Sequence, residues 1–199
     1  MGVSISTGNS KMGKIASVSL PSYVTCIECG CWKKCYAHKL ERLRPNVRDA
    51  YANNLNILTT DPDTYWREVE ASIMMNRFFR FHVSGDIPNE EYFLRMVDVV
   101  SRNPHCEVLC FTKKFGIVNK AIASGLKLPP NLHLLFSGWN GLKMDNPYSL
   151  PEAHVRYRDG STTARSDAIL CGGNCTECAQ TSGGCWSLAP GQQVVFMEH

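Results

Sequence analysis

The sequence predicts an α/β fold, a partial (βα) barrel of parallel strands with cysteine-rich loops near both ends of the chain. Three observations predict it: strand-like and helix-like segments alternate through the middle, two cysteine groups flank that middle, and 44% of the 199 residues are apolar. A chain of this length buries roughly two-thirds of its unfolded surface, so residues 1–199 are expected to form one domain.

A helix, a strand and a second helix open the central part of the chain, residues 46–165. Asp61 is the expected N-cap of the first helix and Pro62 its first residue, because short polar side chains cap helices and proline fits the first turn. Residues 77–83 are rich in aromatic and β-branched side chains, which favours a strand. Pro88 is expected to begin the helix that follows.

The strand and helix pattern then repeats. Residues 107–112 and 132–136 are short apolar runs that predict strands, and residues 115–124 between them have the pattern of a helix. Further strands are expected at residues 154–158 and 193–197. Successive strand-helix-strand units imply a parallel sheet, for which a doubly wound arrangement is the alternative to an open or partial barrel.

The N-terminal part, residues 1–45, is predicted to hold a strand, a cysteine loop and a basic helix. The strand covers residues 18–24, although Pro21 weakens this pattern because proline cannot donate a ladder hydrogen bond. The helix is expected to begin near Trp32 or Lys33.

Residues 33–48 carry the strongest local charge imbalance, six basic residues against the single acid Glu41. The net charge of the whole chain is only +3, which by itself does not indicate nucleic acid or an anionic membrane as a partner. Two interpretations of the segment remain open, a solvated helix face and a surface that contacts nucleic acid. The basic residues are Lys33, Lys34, Lys39, Arg42, Arg44 and Arg48.

The chain is expected in the cytoplasm, with no membrane partner. No apolar run approaches the roughly eighteen residues of a membrane span, and the first residues lack the apolar region of a secretory signal. In a reducing compartment, ten cysteines indicate metal ligands rather than disulfides.

The C-terminal part, residues 166–199, places four cysteines on a glycine-rich loop that is too short to predict a regular element. Glycines let the backbone wrap around a cluster while its N–H groups point at sulfur, so a 4Fe-4S cluster is predicted. A structural zinc site and uncoordinated thiols are the alternatives. The predicted ligands are Cys171, Cys175, Cys178 and Cys185, and the glycines are Gly172, Gly173, Gly183 and Gly184.

Four more cysteines follow the predicted N-terminal strand. Residues 31–38 read Cys-x3-Cys-aromatic-x-His, which resembles the radical S-adenosylmethionine signature Cys-x3-Cys-aromatic-x-Cys with His38 in the last place. In that family three cysteines leave one iron of the cube open to the cofactor, so Cys26 or Cys29 would replace the missing thiolate. His38 itself is interpreted as a helix residue. The predicted ligands of this group are Cys26, Cys29, Cys31 and Cys35.

Polar residues follow two of the predicted strands. In open α/β sheets, ligands bind beyond the carboxyl ends of the strands, which makes Ser84, Asp86 and Lys113 candidates for binding a cofactor or substrate. Cys106 and Cys110 fall on one face of a predicted strand and are expected to be buried thiols outside the ligand set. No residue is assigned a catalytic role.

Over most of its length the chain resembles the phage gene product 88 family, small proteins of phages and mobile elements. The resemblance implies an iron-sulfur protein on a partial barrel similar in outline to radical S-adenosylmethionine proteins, located in the host cytoplasm. Three differences from those enzymes, His38, Asp86 and the additional Cys29, leave enzyme activity open. The matching residues are Thr25-Cys26, Cys31, Cys35-Tyr36-Ala37, residues 48–54, residues 80–86, Thr112-Lys113, Ser137, Cys171, Cys175, Cys178, Cys185-Trp186, Phe196 and His199.

The sequence therefore predicts an iron-sulfur protein with one or two 4Fe-4S clusters, acting with a redox partner protein in electron transfer or radical-type chemistry. S-adenosylmethionine is the further cofactor that this reading allows. One cube could also take thiolates from both ends of the chain. The alternative is a zinc-stapled, non-enzymatic binding module whose basic helix contacts nucleic acid or a host protein.

Overall fold

A computed structural model describes residues 2–26, 29–31 and 34–198. The strands are β1 (Ile5–Ser6), β2 (Ala16–Val18), β3 (Phe78–Phe81), β4 (Glu107–Thr112), β5 (Leu132–Ser137), β6 (Glu152–Arg156), β7 (Ile169–Leu170) and β8 (Gln193–Met197). The helices are α1 (Ser22–Thr25), α2 (Tyr36–Leu43), α3 (Pro45–Thr60), α4 (Pro62–Met74), α5 (Glu90–Arg102), α6 (Phe115–Ala123) and α7 (Cys175–Gln180). None of the helices within these ranges is long and apolar enough to cross a membrane.

The strands form one open sheet in the order β1-β2-β3-β4-β5-β6-β8-β7. Strand β1 is antiparallel to β2, and the remaining neighbours are parallel. Strands β2 to β6 lie side by side in chain order. In a doubly wound sheet, by contrast, the order of the strands along the sheet reverses at a switch point. The doubly wound alternative is therefore wrong, and the parallel α/β prediction is confirmed for a sheet that does not close.

The two faces of the sheet are covered by different parts of the chain. Helices α3 to α6 pack against one face, where their apolar side chains join β3 residues such as Phe79 and Phe81 in a single core. On the other face, Leu109 and Leu135 contact the C-terminal segment around Trp186. Side chains alternate across a strand, so β4 and β5 contribute to both cores.

Most central boundaries agree with the sequence. The Asp61 side chain accepts a hydrogen bond from the Thr64 N–H at 3.0 Å, as expected of an N-cap. Strand β4 has the predicted bounds, and β5 extends one residue beyond them. The prediction that a helix begins at Pro88 is wrong, because Asn89 caps α5 by accepting from the Tyr92 N–H at 2.8 Å.

The N-terminal part differs more. Strand β2 ends at Val18, and the expected strand over residues 18–24 is wrong because Pro21 precedes the helical turn α1. The basic segment is not one helix: α2 ends at Leu43 and a new helix starts at Pro45, whose ring is tolerated only in a first turn. The predicted start at Trp32 or Lys33, and the charge of Lys33, lie outside the described residues.

The C-terminal cysteine loop is more regular than expected. Helix α7 and a 3-10 turn at Gly184–Trp186 form within it, so the prediction of no regular element is wrong. Asn174 caps α7 by accepting from the Glu177 N–H at 3.1 Å. The Trp186 ring packs edge-on against Phe78, 5.4 Å between centroids, and this contact holds the loop on the sheet.

Candidate functional site

Both cysteine groups line one cavity of about 700 Å³. Its wall includes apolar residues of β4 and β8, such as Phe111 and Val194, together with polar residues beyond the carboxyl ends of β3 and β4. A volume of this size is typical of small-molecule and cofactor sites. The cysteines that line the cavity are Cys26, Cys29, Cys31, Cys35, Cys171, Cys175, Cys178 and Cys185.

The first cysteine group lies between α1 and α2. Cys31 Sγ is 3.2 Å from Cys29 Sγ, and hydrogen bonds from the Cys31 thiol lower the pKa values of both Cys29 and Cys35. Cys35 is the N-cap of α2, where the backbone N–H groups of His38 and Ala37 lower its pKa further. Thiolates are the species that bind metal, and these contacts favour the thiolate at Cys29 and Cys35, whereas the same hydrogen bonds raise the pKa of Cys31.

Lys113, directly after β4, is the cation of the first group. Its positive charge lowers the pKa values of all four thiols of that group, including Cys26, whose pKa burial raises to about 12. The Lys113 ammonium donates a hydrogen bond to Ser137 Oγ at 3.0 Å. The structure thus brings this predicted cofactor-binding residue close to the predicted metal ligands.

Ser84 and Asp86 line the cavity, but both are buried and their side chains form hydrogen bonds with other groups of the protein. Asp86 accepts from Thr112 Oγ1 at 2.6 Å and from the Lys113 N–H at 2.9 Å, and burial raises its pKa. Ser84 Oγ donates to Glu41 Oε1 at 2.5 Å. Their predicted contact with a cofactor therefore stays a prediction.

Glu41 positions a residue that lines the cavity, Ser84, and the sequence reasoning missed this role. Its carboxylate is buried and also accepts from the Ser22 N–H at 3.1 Å, so it ties α1 and α2 to the turn after β3. The available signal was that Glu41 is the single acid within a run of basic residues. The run was interpreted by its total charge instead.

The second cysteine group is held against the N-terminal turn. The Cys175 N–H donates to the Lys11 carbonyl at 3.1 Å, and Thr176 Oγ1 donates to the Met12 carbonyl at 2.7 Å. Burial raises the pKa values of Cys175, Cys178 and Cys185, to about 12 for Cys185.

A positive φ, which lets the backbone wrap, occurs at two of the four glycines, and their role around a cluster stays a prediction. Gly173 and Gly184 have positive φ angles of 82° and 55°, whereas Gly172 and Gly183 do not. The Gly173 N–H donates to Cys171 Sγ at 3.4 Å. A Cβ atom added at Gly184 would lie 3.1 Å from Cys178 Sγ, a tight contact that adds to the preference for glycine at this positive φ.

The positive charge of Arg80 partly offsets the burial that raises the pKa values of Cys175 and Cys185, and Lys11 acts in the same direction on Cys175. Its guanidinium lies over the Phe111 ring, 4.9 Å from the centroid. Each cysteine group therefore has a basic side chain on or next to a sheet strand that acts on it, Lys113 for the first and Arg80 for the second.

The thiols fit an iron-sulfur cluster in part. Within each group the sulfurs influence one another's pKa values, which indicates two sets of four. The sulfurs of Cys29 and Cys31 would have to separate before each could bind its own iron. Among the described residues, no three His, Cys, Asp or Glu side chains are arranged to hold a single metal ion.

Cys106 and Cys110 are on the helix-covered face of the sheet, away from the cavity. Both are fully buried in that core, and burial raises their pKa values. Their prediction as buried thiols is confirmed.

Comparison with known proteins places the chain in a family. A family model described as Gene product 88 matches residues 4–167. The Gene 88 protein of Mycobacterium phage L5 is 28% identical over 145 residues, which cover 65% of this chain and 59% of that protein. No solved structure matches. The second cysteine group lies beyond the residues that the family model matches. Because the match covers most of the chain, this protein belongs to the gene product 88 family.

Proposed function

We propose that this protein is an iron-sulfur protein of the host cytoplasm that binds 4Fe-4S clusters on its two cysteine groups and transfers electrons with a redox partner protein. The observation that carries the proposal is that eight thiols, four from each group, line one cavity of about 700 Å³. Eight thiolates are enough for two cubes, and each cube would supply one-electron chemistry.

The charges around the thiols support this assignment. A cube with four thiolate ligands carries net negative charge, so a nearby cation stabilises it and raises its reduction potential. Lys113 beside the first group and Arg80 beside the second are placed for this role. The N–H group that Gly173 directs at Cys171 Sγ is a contact of the kind that tunes such clusters.

A finer proposal concerns the first group. We infer a partial barrel like that of radical S-adenosylmethionine proteins, with S-adenosylmethionine bound in the cavity beside the first cluster. Lys113 is the candidate we favour among the three predicted cofactor-binding residues, because Ser84 and Asp86 bond to Glu41 and Thr112, whereas the Lys113 ammonium has three N–H donors and gives one to Ser137. Since the signature carries His38 in place of its last cysteine, we expect little or no reductive cleavage of S-adenosylmethionine.

The test is anaerobic purification followed by iron and sulfide quantification and electron paramagnetic resonance of the reduced protein. Two cubes would give about eight irons per chain, and one would give about four. Cys35→Ser and Cys178→Ser should each remove the iron of one group, while Cys106→Ser, a buried thiol of the opposite face, should retain it. A colourless, zinc-loaded protein would overturn the proposal in favour of a zinc-stapled binding module.

The same preparation tests the finer proposal. After addition of a strong reductant and S-adenosylmethionine, 5′-deoxyadenosine is measured by chromatography. A trace or no product agrees with an electron carrier. Stoichiometric product would show that the first cluster is catalytically competent despite His38.

A further inference from the structure

We propose that the protein binds single-stranded nucleic acid in a second cavity, a groove of about 780 Å³ between α2 and the carboxyl ends of β5, β6 and β8. This inference goes beyond the proposed redox function and does not depend on which metal the cysteines hold. The residues of this basic groove that carry the argument are Lys34, Lys39, Arg42, Trp139, Tyr157 and Arg158.

The groove has an excess of positive charge at its rim. Lys39, Arg42 and Arg158 are exposed, and their side chains form no ion pair with any residue of the described ranges. A cluster of unpaired cations around a concave surface favours a ligand with repeated negative charge.

The two carboxylates of the groove offset only part of this charge, because four Lys and Arg side chains line it. Glu198 is already paired with Lys34, Nζ to Oε1 at 2.9 Å, and its other oxygen accepts from the Arg158 N–H at 3.0 Å. Asp159 accepts from the N–H and hydroxyl of Ser161. Four basic side chains thus face two carboxylates, and the groove keeps an excess of positive charge for a ligand.

One partly exposed aromatic ring in the groove, that of Trp139, favours a single strand over a duplex, while the Tyr157 ring that supports it is buried. Trp139 is half-buried and meets Tyr157 edge-to-face, 5.4 Å between ring centroids. The Tyr157 hydroxyl accepts from the Asn140 N–H at 2.9 Å, which fixes its ring. Proteins that bind single strands combine a cationic groove with aromatic side chains that stack on bases, and in a duplex those base faces are hidden.

The groove and the thiol cavity share part of their lining. Lys34, Cys35, Trp139 and Glu198 contribute to both. A strand in the groove would therefore pass directly beside Cys35, the N-cap thiol of the first cysteine group. The ligand would be a flexible sugar-phosphate chain with accessible bases, bound next to the thiol cavity.

The experiment measures binding of a fluorescein-labelled oligothymidine of about 12 nucleotides, a length within the usual site sizes, by anisotropy at several KCl concentrations. The full chain is used, purified anaerobically. The test variant is Lys39→Gln with Arg42→Gln, and the matched control is Lys14→Gln with Lys127→Gln. The control lysines are exposed and precede β2 and β5, at the opposite edge of the sheet.

Removal of two phosphate contacts should reduce the slope of log K against log salt by about 1.4, since each contact to a single strand contributes about 0.7. Trp139→Ala should weaken binding at least about fivefold with the slope unchanged, because stacking rather than charge is lost. The control should bind like the wild type.

Three results would overturn the proposal. These are equal salt slopes for the wild type and the groove variant, a control variant that loses as much affinity as the groove variant, and equal affinity for a duplex of the same length. Polyglutamate that displaces the oligonucleotide more effectively than unlabelled oligothymidine would instead identify an acidic protein as the occupant.

Discussion

Glu41 Oε1 and Ser84 Oγ are joined by a buried hydrogen bond of 2.5 Å. The bond links α2, which follows the first cysteine group, to the turn after β3. Because the same carboxylate accepts from the Ser22 N–H, three separate segments of the chain meet at one side chain. Because the Glu41 carboxyl group is buried, it stabilises the fold while Ser22 and Ser84 donate to it, and loss of either hydrogen bond would destabilise the protein.

The first prediction concerns this junction. Glu41→Ala should lower the free energy of unfolding by about 1.5–3 kcal/mol, because it leaves the Ser22 and Ser84 donors without their acceptor. Ser84→Ala should lower it by less, and a double-mutant cycle from urea unfolding should show coupling between the two. Glu91→Ala, on the exposed side of α5, is the control and should stay within about 0.5 kcal/mol. Independent, additive effects of Glu41 and Ser84 would contradict the junction.

A second prediction compares two glycines. Gly184→Ala should destabilise the protein by at least about 1–2 kcal/mol, because an L residue is strained at a φ of 55° and its Cβ would crowd Cys178 Sγ. Gly116→Ala is the matched control, since this glycine lies inside α6 with nothing within 4 Å of an added Cβ. It should be neutral or stabilising by about 0.4–1 kcal/mol. Thermal unfolding of the two variants distinguishes them, and equal melting temperatures would contradict the prediction.

A third prediction is a pH dependence from His82. Its imidazole is fully buried beside Arg80, and burial lowers its pKa to about 3 from an ordinary value of 6.5. Between these values the unfolded chain binds a proton that the folded protein does not bind. His82 therefore leaves stability intact above pH 6.5 and reduces it, by about 1.4 kcal/mol per pH unit, as the pH falls toward 3.

Urea unfolding between pH 7.5 and pH 5 tests the His82 effect. Asn is the replacement because it is neutral and tolerates the φ of 59° found at this position. His82→Asn should flatten the loss of stability below pH 6.5, whereas His105→Asn, at an exposed histidine, should not. Asp86 is present in every variant, so its own titration cancels in the comparison. Parallel curves for the wild type and His82→Asn would refute the assignment.

A fourth prediction rests on the proposed cluster in the first cysteine group. Lys113→Gln removes the cation beside the thiols and should lower the reduction potential by roughly 60 mV, the one-electron equivalent of a tenfold change in the equilibrium constant. Lys114→Gln makes the same change of charge at the adjacent residue and should have a smaller effect. Redox titration followed by electron paramagnetic resonance measures both. Equal shifts would mean that Lys113 acts only through the overall charge.

The central βα units could be predicted from the sequence because their signals are local. Each signal lies within a few neighbouring residues: the N-cap at Asp61, the helical spacing of apolar residues in α5, and the apolar, β-branched residues of β4 and β8. The N-terminal strand and the start of α5 were misjudged where two local signals compete. At residues 18–24 the sequence favoured a strand, but β2 ends at Val18 and Pro21 precedes the helical turn α1.

The sequence by itself determined the alternating elements and the two sets of four cysteines, since periodicity and spacing are properties of neighbouring residues. Only the tertiary structure decided that both sets line one cavity and that Lys113 and Arg80 stand beside them. It also decided that Glu41 is buried and that a groove opens beside Cys35. These relationships join residues far apart in the chain, and they arise only when the parallel strands bring their carboxyl ends to one edge of the sheet.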